Sequence, residues 1–453
     1  MTKNICPVDE ILSPVKMLTL GFQHVLVMYA GTIAVPLVFG SKMGLSQKDI
    51  ILLINATLFM SGVATLSQTI GFWKIGARIP LIQGCSFIAL TPMLIIGQQY
   101  GIQYVFGSII TCGALTIVIA PLFSKLLRFF PPVVTGTLII IIGLSLIPAA
   151  AEWLGGGNPN AADFGNISHL TLGFSTITII LIIYRCFSGF LANNSILIGL
   201  LGGTSLAAIS GETDFSSVRA VSWFAFIKPF AFGFPKFSPT PIILISLVMI
   251  VIMAETTGTS MAIGKLVDRK ITSHILTNTF RSNGLSTMLG GLFNSFAYNA
   301  FMQNTGLIAL TGVKSRYIVA TSGGILIFLS FFPKLASILS AVPPPVLGGA
   351  ALIMFGMTIA TGIQQLSQIR YEGTHNSIII AASLGIGIIP TSFPDLFSKI
   401  DGPLKIISDS GALMGALTAV LLNAFLNQKI EKKLFTDPHS NKSLLKNDLT
   451  SSK

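Results

Sequence analysis

The sequence predicts an all-α polytopic membrane protein of 14 transmembrane segments, built as a 7+7 inverted repeat with its third and tenth spans broken. Three observations carry this expectation. The chain has 453 residues, 52% of them hydrophobic and only 10% charged, with mean hydropathy +0.79; soluble domains carry roughly 25% charged residues. Long apolar segments recur from about residue 17 to 427, several of them near the roughly 20 residues that a helix needs to cross a bilayer. Two short strings also occur twice, in the same order. Leu81-Ile82-Gln83-Gly84-Cys85-Ser86-Phe87-Ile88-Ala89-Leu90 is echoed by Phe301-Met302-Gln303-Asn304-Thr305-Gly306-Leu307-Ile308-Ala309-Leu310. Phe130-Pro131-Pro132-Val133-Val134-Thr135-Gly136-Thr137 is echoed by Pro343-Pro344-Pro345-Val346-Leu347-Gly348-Gly349-Ala350, after which Gly143 aligns with Gly356. With an odd number of spans in each half, the second half enters the membrane from the opposite side.

Taken in order, the spans are expected at 17–40, 50–72, 80–97, 103–126, 132–151, 168–188, 193–211, 239–264, 283–295, 298–313, 315–336, 342–363, 374–391 and 409–427. In 80–97 and 298–313 the leader is too short to span and too polar to face lipid. Each is expected to enter in a non-helical form and continue as a half-helix starting at membrane depth. Irregular backbone is tolerated there only where protein buries it or a polar cavity solvates it. Interrupted segments at matching places in two halves point to a transporter's binding site.

Charge placement sets the orientation. With the N-terminus cytoplasmic, the inner segments hold Lys3, Lys16, Lys74, Arg78, Arg185, Arg281, Lys314, Arg316 and the tail lysines, outnumbering outer ones such as Lys42, Lys48 and Lys228. Both termini are therefore expected inside a plasma or inner membrane. Residues 1–16 have no signal-peptide-like apolar core and are expected as a cytoplasmic N-terminus. Residues 212–238, rich in Phe and containing Trp223, suit an interfacial linker between the halves. The polar tail 428–453 suits a disordered cytoplasmic segment.

The formal net charge of +12 could suggest nucleic acid, but Lys and Arg sit in loops and tail, so topology explains them and no nucleic-acid partner is expected. Cys6, Cys85, Cys112 and Cys186 show no metal or disulfide spacing. There is no nucleotide loop, metal-ligand set or nucleophile–base arrangement, so neither an enzyme nor a cofactor is expected.

Glu255 follows an uncharged run from Ile242 to Ala254. A charge at the bilayer centre costs at least ~2.5–3.5 kcal/mol, so such residues are rare and usually functional. No Lys or Arg is expected in a span centre to pair with it. It is the first candidate for ligand binding and proton exchange. Gln303 offers one acceptor and two donors on a rigid amide, which suits the N–H beside C=O of a lactam or imide; it could also satisfy backbone where the helix breaks. Asn304, Thr305 and Gly306 form the first turn of one half-helix, with its partial positive charge. Gln83, Gly84, Cys85 and Ser86 open the other, and Phe87 is either a stacking face or packing. His24 either titrates near neutral pH or hydrogen-bonds between helices.

With these residues in view, the sequence resembles the nucleobase–ascorbate transporter family. The family motif is matched by Gln303-Asn304-Thr305-Gly306 through Thr311. Further matches are Gln23-His24, Glu255 followed by Thr256-Thr257-Gly258, Gln83-Gly84 with Ser86-Phe87, and Pro345-Val346-Leu347-Gly348-Gly349. The resemblance covers about residues 15–427. It implies a core domain of 17–126 and 239–336 facing a gate domain of 127–211 and 337–427, with short antiparallel strands before the two half-helices. It also implies a homodimer that imports a nucleobase with a proton. Glu255 would match the family's substrate-binding carboxylate. Gln303 is similar to the purine branch, whose members carry xanthine or urate, where uracil carriers have Glu. Two positions depart from the family: Asn283 in Arg281-Ser282-Asn283-Gly284 replaces an acid, and Thr259 stands where many carriers have Asp. Asn283 cannot exchange a proton, which leaves Glu255 and His24 as the coupling candidates. A weakly coupled uniporter or channel, a uracil or other purine carrier and, last, an anion carrier of the related fold remain alternatives.

Overall fold

The computed structural model describes residues 6–126, 131–213, 218–219, 221–400 and 403–427. The expected disordered tail 428–453 lies outside the described residues, as do Phe130 and residues 1–5.

The chain is mostly helical. Helix α1 is Pro14–Lys42 and α2 is Gln47–Thr69. Strand β1, Gln83–Cys85, leads through a short helical turn into α3, Leu90–Tyr100. Then come α4, Ile102–Leu126; α5, Pro132–Leu154; α6, Ile167–Cys186; and α7, Ser195–Ile209. The second half holds α8, Pro239–Leu266; α9, Ser273–Leu292; β2, Tyr298–Ala300; and α10, Gln303–Thr311. It continues with α11, Arg316–Ser330; α12, Pro333–Ser340; α13, Pro344–Leu366; α14, Asn376–Ser392; α15, Pro403–Asp409; and α16, Gly411–Leu426. Among the described residues seven helices are long and apolar enough to cross a membrane; α11 and α12 together would make an eighth, and α7, α14 and α16 are shorter apolar helices.

Local chemistry sets many of these boundaries. Proline opens α1, α5, α8, α12 and α13, at the one place where its missing N–H costs nothing. The Ser46 and Thr272 hydroxyls accept from Asp49 N and Ile275 N, each at 3.3 Å, capping α2 and α9. Gly101, at φ 101°, makes the sharp turn between α3 and α4.

Two expectations need correction. The ninth segment begins at Ser273 rather than near 283, so Arg281 lies within α9 instead of flanking it. Hydropathy missed this start because α9 is rich in Ser, Thr and Asn. Most of these side chains are buried and find partners on neighbouring elements. The 315–336 segment is not straight: α11 and α12 meet at 83°, at the Pro333 that opens α12.

The helices pack in two groups. In one, α2 lies along α11, α4 along α9, and α1 and α8 flank them. In the other, α5 lies along α13, with α6 against α7 and α14 against α16. Close helix approach in the first group depends on paired glycines. A Cβ on Gly62 would stand 2.5 Å from the Gly323 carbonyl oxygen, and one on Gly113 would stand 2.6 Å from that of Gly284. The Lys42 ammonium, at the end of α1, pairs with Glu152 on α5 and so joins the two groups.

Gly113→Ala is expected to lower the thermal unfolding midpoint of the detergent-purified protein, because overpacking a close crossing typically costs about 1–3 kcal/mol. Gly324→Ala, at a position with open space around it, should leave the midpoint unchanged in the same measurement.

Candidate functional site

The two strands pair antiparallel, with Gln83 opposite Ala300, Gly84 opposite Asn299 and Cys85 opposite Tyr298. Further backbone bonds extend the pairing at both ends: Ser86 N donates to Ala297 O at 2.8 Å, and Phe301 N donates to Ile82 O at 3.0 Å. All six strand residues are buried. Glycine at 84 is a steric requirement, since a Cβ there would fall 1.9 Å from the Phe301 ring.

The pair carries Asn299 to Glu255. Glu255 sits deep in α8, about 16 Å from its C-terminal end at 1.5 Å per residue, and Asn299 Nδ2 donates to its Oε2 at 2.6 Å. Asn299 Oδ1 is buried and has no partner among the described residues. Both residues line a cavity of about 500 Å³, with Gln303 at the start of α10 and the rings of Phe87 and Phe301. The opposite wall comes from the other packing group, as Ile139 and Ile142 of α5 and Thr358 and Thr361 of α13. Both threonine hydroxyls donate to backbone carbonyls one turn back, at 3.1 and 2.9 Å. Their lone pairs are left to accept. The Phe87 ring is held edge-on to Phe355, centroids 5.7 Å apart. The cavity is thus rich in acceptors, with one donor–acceptor amide at Gln303 and flat apolar walls.

With that geometry described, the comparisons with known proteins can be read. The model of the Permease family matches residues 15–396. The xanthine permease of Bacillus subtilis (strain 168) is 44% identical over 423 residues, covering 92% of this chain and 96% of that protein. The uric acid transporter UacT of Escherichia coli (strain K12) is 43% identical over 424 residues, covering 93% and 88%. The chain belongs to this permease family. It is the nucleobase–ascorbate transporter family that the sequence motifs resemble. Among solved structures, the transmembrane domain of the cyanobacterium bicarbonate transporter BicA matches with TM-score 0.58 at 14% identity, over 91% of this chain and 98% of that one. SLC26A9 matches with TM-score 0.63 at 11% identity, over 91% and 65%. These two likenesses show a shared fold.

Not every candidate in this permease reaches the cavity. Glu255, Gln303 and Phe87 line it; Gln83 does not. The Gln83 amide turns away into a buried network, where its Nε2 donates to Asn283 Oδ1 and its Oε1 accepts from Ser286 at 3.2 Å. Asn283 Oδ1 also accepts from Gln68 Nε2 at 3.2 Å, and its Nδ2 donates to Thr256 at 2.8 Å. Asn283 therefore ties α2, α8, α9 and β1 together. Thr259, the other departure, is buried and donates to the Glu255 carbonyl at 3.3 Å. Asn304 turns to α1, donating to the His24 carbonyl at 2.9 Å and lying 3.2 Å from His24 Nδ1. The carbonyl contact fixes Nδ2 as the donor, so Nδ1 accepts and a neutral His24 carries its proton on Nε2. The hydroxyls of Ser86 and Thr305 are buried without partners among the described residues, and Gly306 is exposed.

Sequence reasoning missed Asn299, Phe301, Thr358 and Thr361. Asn299 precedes the motif by a few residues and carried no signal beyond being polar beside a broken span. The threonines lie on an apolar helix where one hydroxyl per turn is ordinary.

Asn283→Ala would leave Gln68, Gln83 and Thr256 short of partners, each buried group costing about 1–3 kcal/mol. A fall in the unfolding midpoint of purified protein is expected. Asn283→Asp keeps both acceptor contacts, and the Thr256 hydroxyl can turn to donate, so its midpoint should lie closer to that of the unchanged protein.

Proposed function

We propose that this permease imports a purine nucleobase, xanthine or urate, together with a proton. The observation that carries the reading is the acceptor-rich face of the cavity: the Glu255 carboxylate, the unpartnered Asn299 Oδ1 and the spare lone pairs of Thr358 and Thr361. Xanthine and urate are flat and carry ring N–H groups on several edges, so they supply the donors this wall lacks. Gln303 matches an N–H beside C=O with both halves of its amide. Phe87 and Phe301 supply apolar surface for the ring faces. The names of the relatives, a xanthine permease and a uric acid transporter, support the same substrates.

In this reading the chain crosses a plasma or inner membrane fourteen times, with both termini cytoplasmic and the second seven spans inverted relative to the first. The matched packing of α2 on α11 and α4 on α9 supports the repeat. The group holding Glu255 and the strand pair acts as a core (17–126 and 239–336), and the group built on α5 and α13 acts as a gate (127–211 and 337–427). The cavity lies between them, so relative motion of the two gives alternating access, and the permease works as a homodimer.

Glu255 couples the proton. When ionised it accepts from ring N–H groups; when neutral it donates to a carbonyl, so occupancy and protonation are linked. His24 is the second coupling candidate, acting through Asn304, while Asn283 and Thr259 carry no exchangeable acid.

The test is uptake of radiolabelled xanthine and urate in cells lacking their own purine carriers, with unlabelled bases as competitors. Glu255→Gln is expected to abolish accumulation that a protonophore collapses while leaving some exchange. Unchanged accumulation would refute the coupling role, and no uptake of either base by the unchanged protein would refute the substrate.

A further inference from the structure

Behind the Glu255 cavity lies a second one, of about 560 Å³, and the two share Phe87, Phe301, Gln303 and Thr358. Its far end is made by Asn193 and Asn194, at the start of α7. Asn194 is 4% exposed. Its Nδ2 donates to Phe190 O at 2.9 Å, which fixes the amide's orientation, and its Oδ1 is buried with no partner among the described residues. A buried acceptor left empty costs about 1–3 kcal/mol, and one that lines a cavity can be filled by a ligand's N–H. The side walls are apolar, from Met28 and Leu26 of α1 and Met354 and Met357 of α13.

We propose that this second cavity is a transit subsite for the same heterocycle, with Asn194 Oδ1 accepting a ring N–H. The inference rests on the nucleobase reading above. Gln303 lies on the boundary of both cavities, so one edge of the base can stay bonded to it while the other passes from Glu255 to Asn194. In the proposed topology the connection between α6 and α7 is cytoplasmic, so this subsite lies on the inner side of the path. Its walls come from α1 on one side and α7 and α13 on the other, so it forms only while the two packing groups stand as they do here.

The test uses the full chain reconstituted in vesicles, with radiolabelled xanthine counterflow measured from each face. Asn194→Ala is expected to raise the half-saturating xanthine concentration at the cytoplasmic face about tenfold, the size of one hydrogen bond, with the outer value within twofold of the unchanged protein. Asn194→Asp loses the bond to Phe190 but keeps an acceptor oxygen, so it should restore the cytoplasmic value. If Asp is as impaired as Ala, the residue acts only by holding the loop, and the subsite is refuted. Equal shifts at both faces, or none, refute it too. Should Asn194→Ala not fold, Asn194→Ser, which retains an oxygen but with shorter reach, is expected to give a smaller one-sided shift in the same assay; a shift equal on both faces overturns the proposal. Failure of the unchanged protein to exchange xanthine or urate would instead sink the substrate assignment, which separates the two outcomes.

Discussion

Backbone polar groups inside a bilayer have no water to bond to, and each one left unmet costs several kcal/mol. The pairing of Gln83–Cys85 with Tyr298–Ala300 answers that constraint for two segments that are not helical. It also decides where the chemistry lies. Once the strands are in register, Asn299 stands opposite Gly84, its side chain reaches Glu255, and α3 and α10 start on either side of the pair. The register is guarded sterically. Phe301 occupies the space a side chain at 84 would need, and the buried Tyr298 hydroxyl is held by Ser295 at 2.7 Å and the Thr57 carbonyl at 3.1 Å. A shift by one residue would break these contacts together.

The strands in turn are held by uncharged groups. Gln68, Gln83, Asn283, Ser286 and Thr256 satisfy one another across four elements, and Ser67 joins Ser282 at 2.6 Å. A fully satisfied network of neutral amides and hydroxyls avoids the desolvation cost of buried ions. An amide at 283 suits that setting: it accepts twice and donates once, which matches its neighbours. The acid found there in relatives of the resemblance is therefore not needed to hold this framework, and Glu255 is left as the carboxylate on the cavity wall.

Much of this was legible in the sequence because it follows from local rules. A lone carboxylate in an apolar run, a broken span beginning with Gln, and an aromatic at a half-helix start singled out Glu255, Gln303 and Phe87, which line one cavity. The repeat was legible because two strings recur in order. Side-chain direction was not. Gln83 and Gln303 occupy echoing positions, yet one amide turns into the network and the other into the cavity, because only Gln83 finds Asn283 and Ser286 beside it. The start of α9 was hidden for a related reason. Hydropathy counts its Ser, Thr and Asn as unfavourable, whereas burial against α2 and β1 supplies their partners.

The division of the cavity walls shows how one site can serve two faces. Glu255, Asn299, Gln303, Phe87 and Phe301 belong to the group organised by the strand pair, and their mutual bonds do not involve the other group. Ile139, Ile142, Thr358 and Thr361 stand on α5 and α13 and close the cavity by contact alone. Between the groups the structure shows apolar packing and the Lys42–Glu152 ion pair, whose side chains are about one-quarter exposed. Partly hydrated pairs of that kind are worth at most about 1 kcal/mol, so little resists sliding one group past the other. The bonds that define recognition would move as a unit, and those that break would be the weak ones. A rigid half of a site, carried past a wall that contributes shape and a few acceptors, can keep its grip on a ligand while the path to solvent changes.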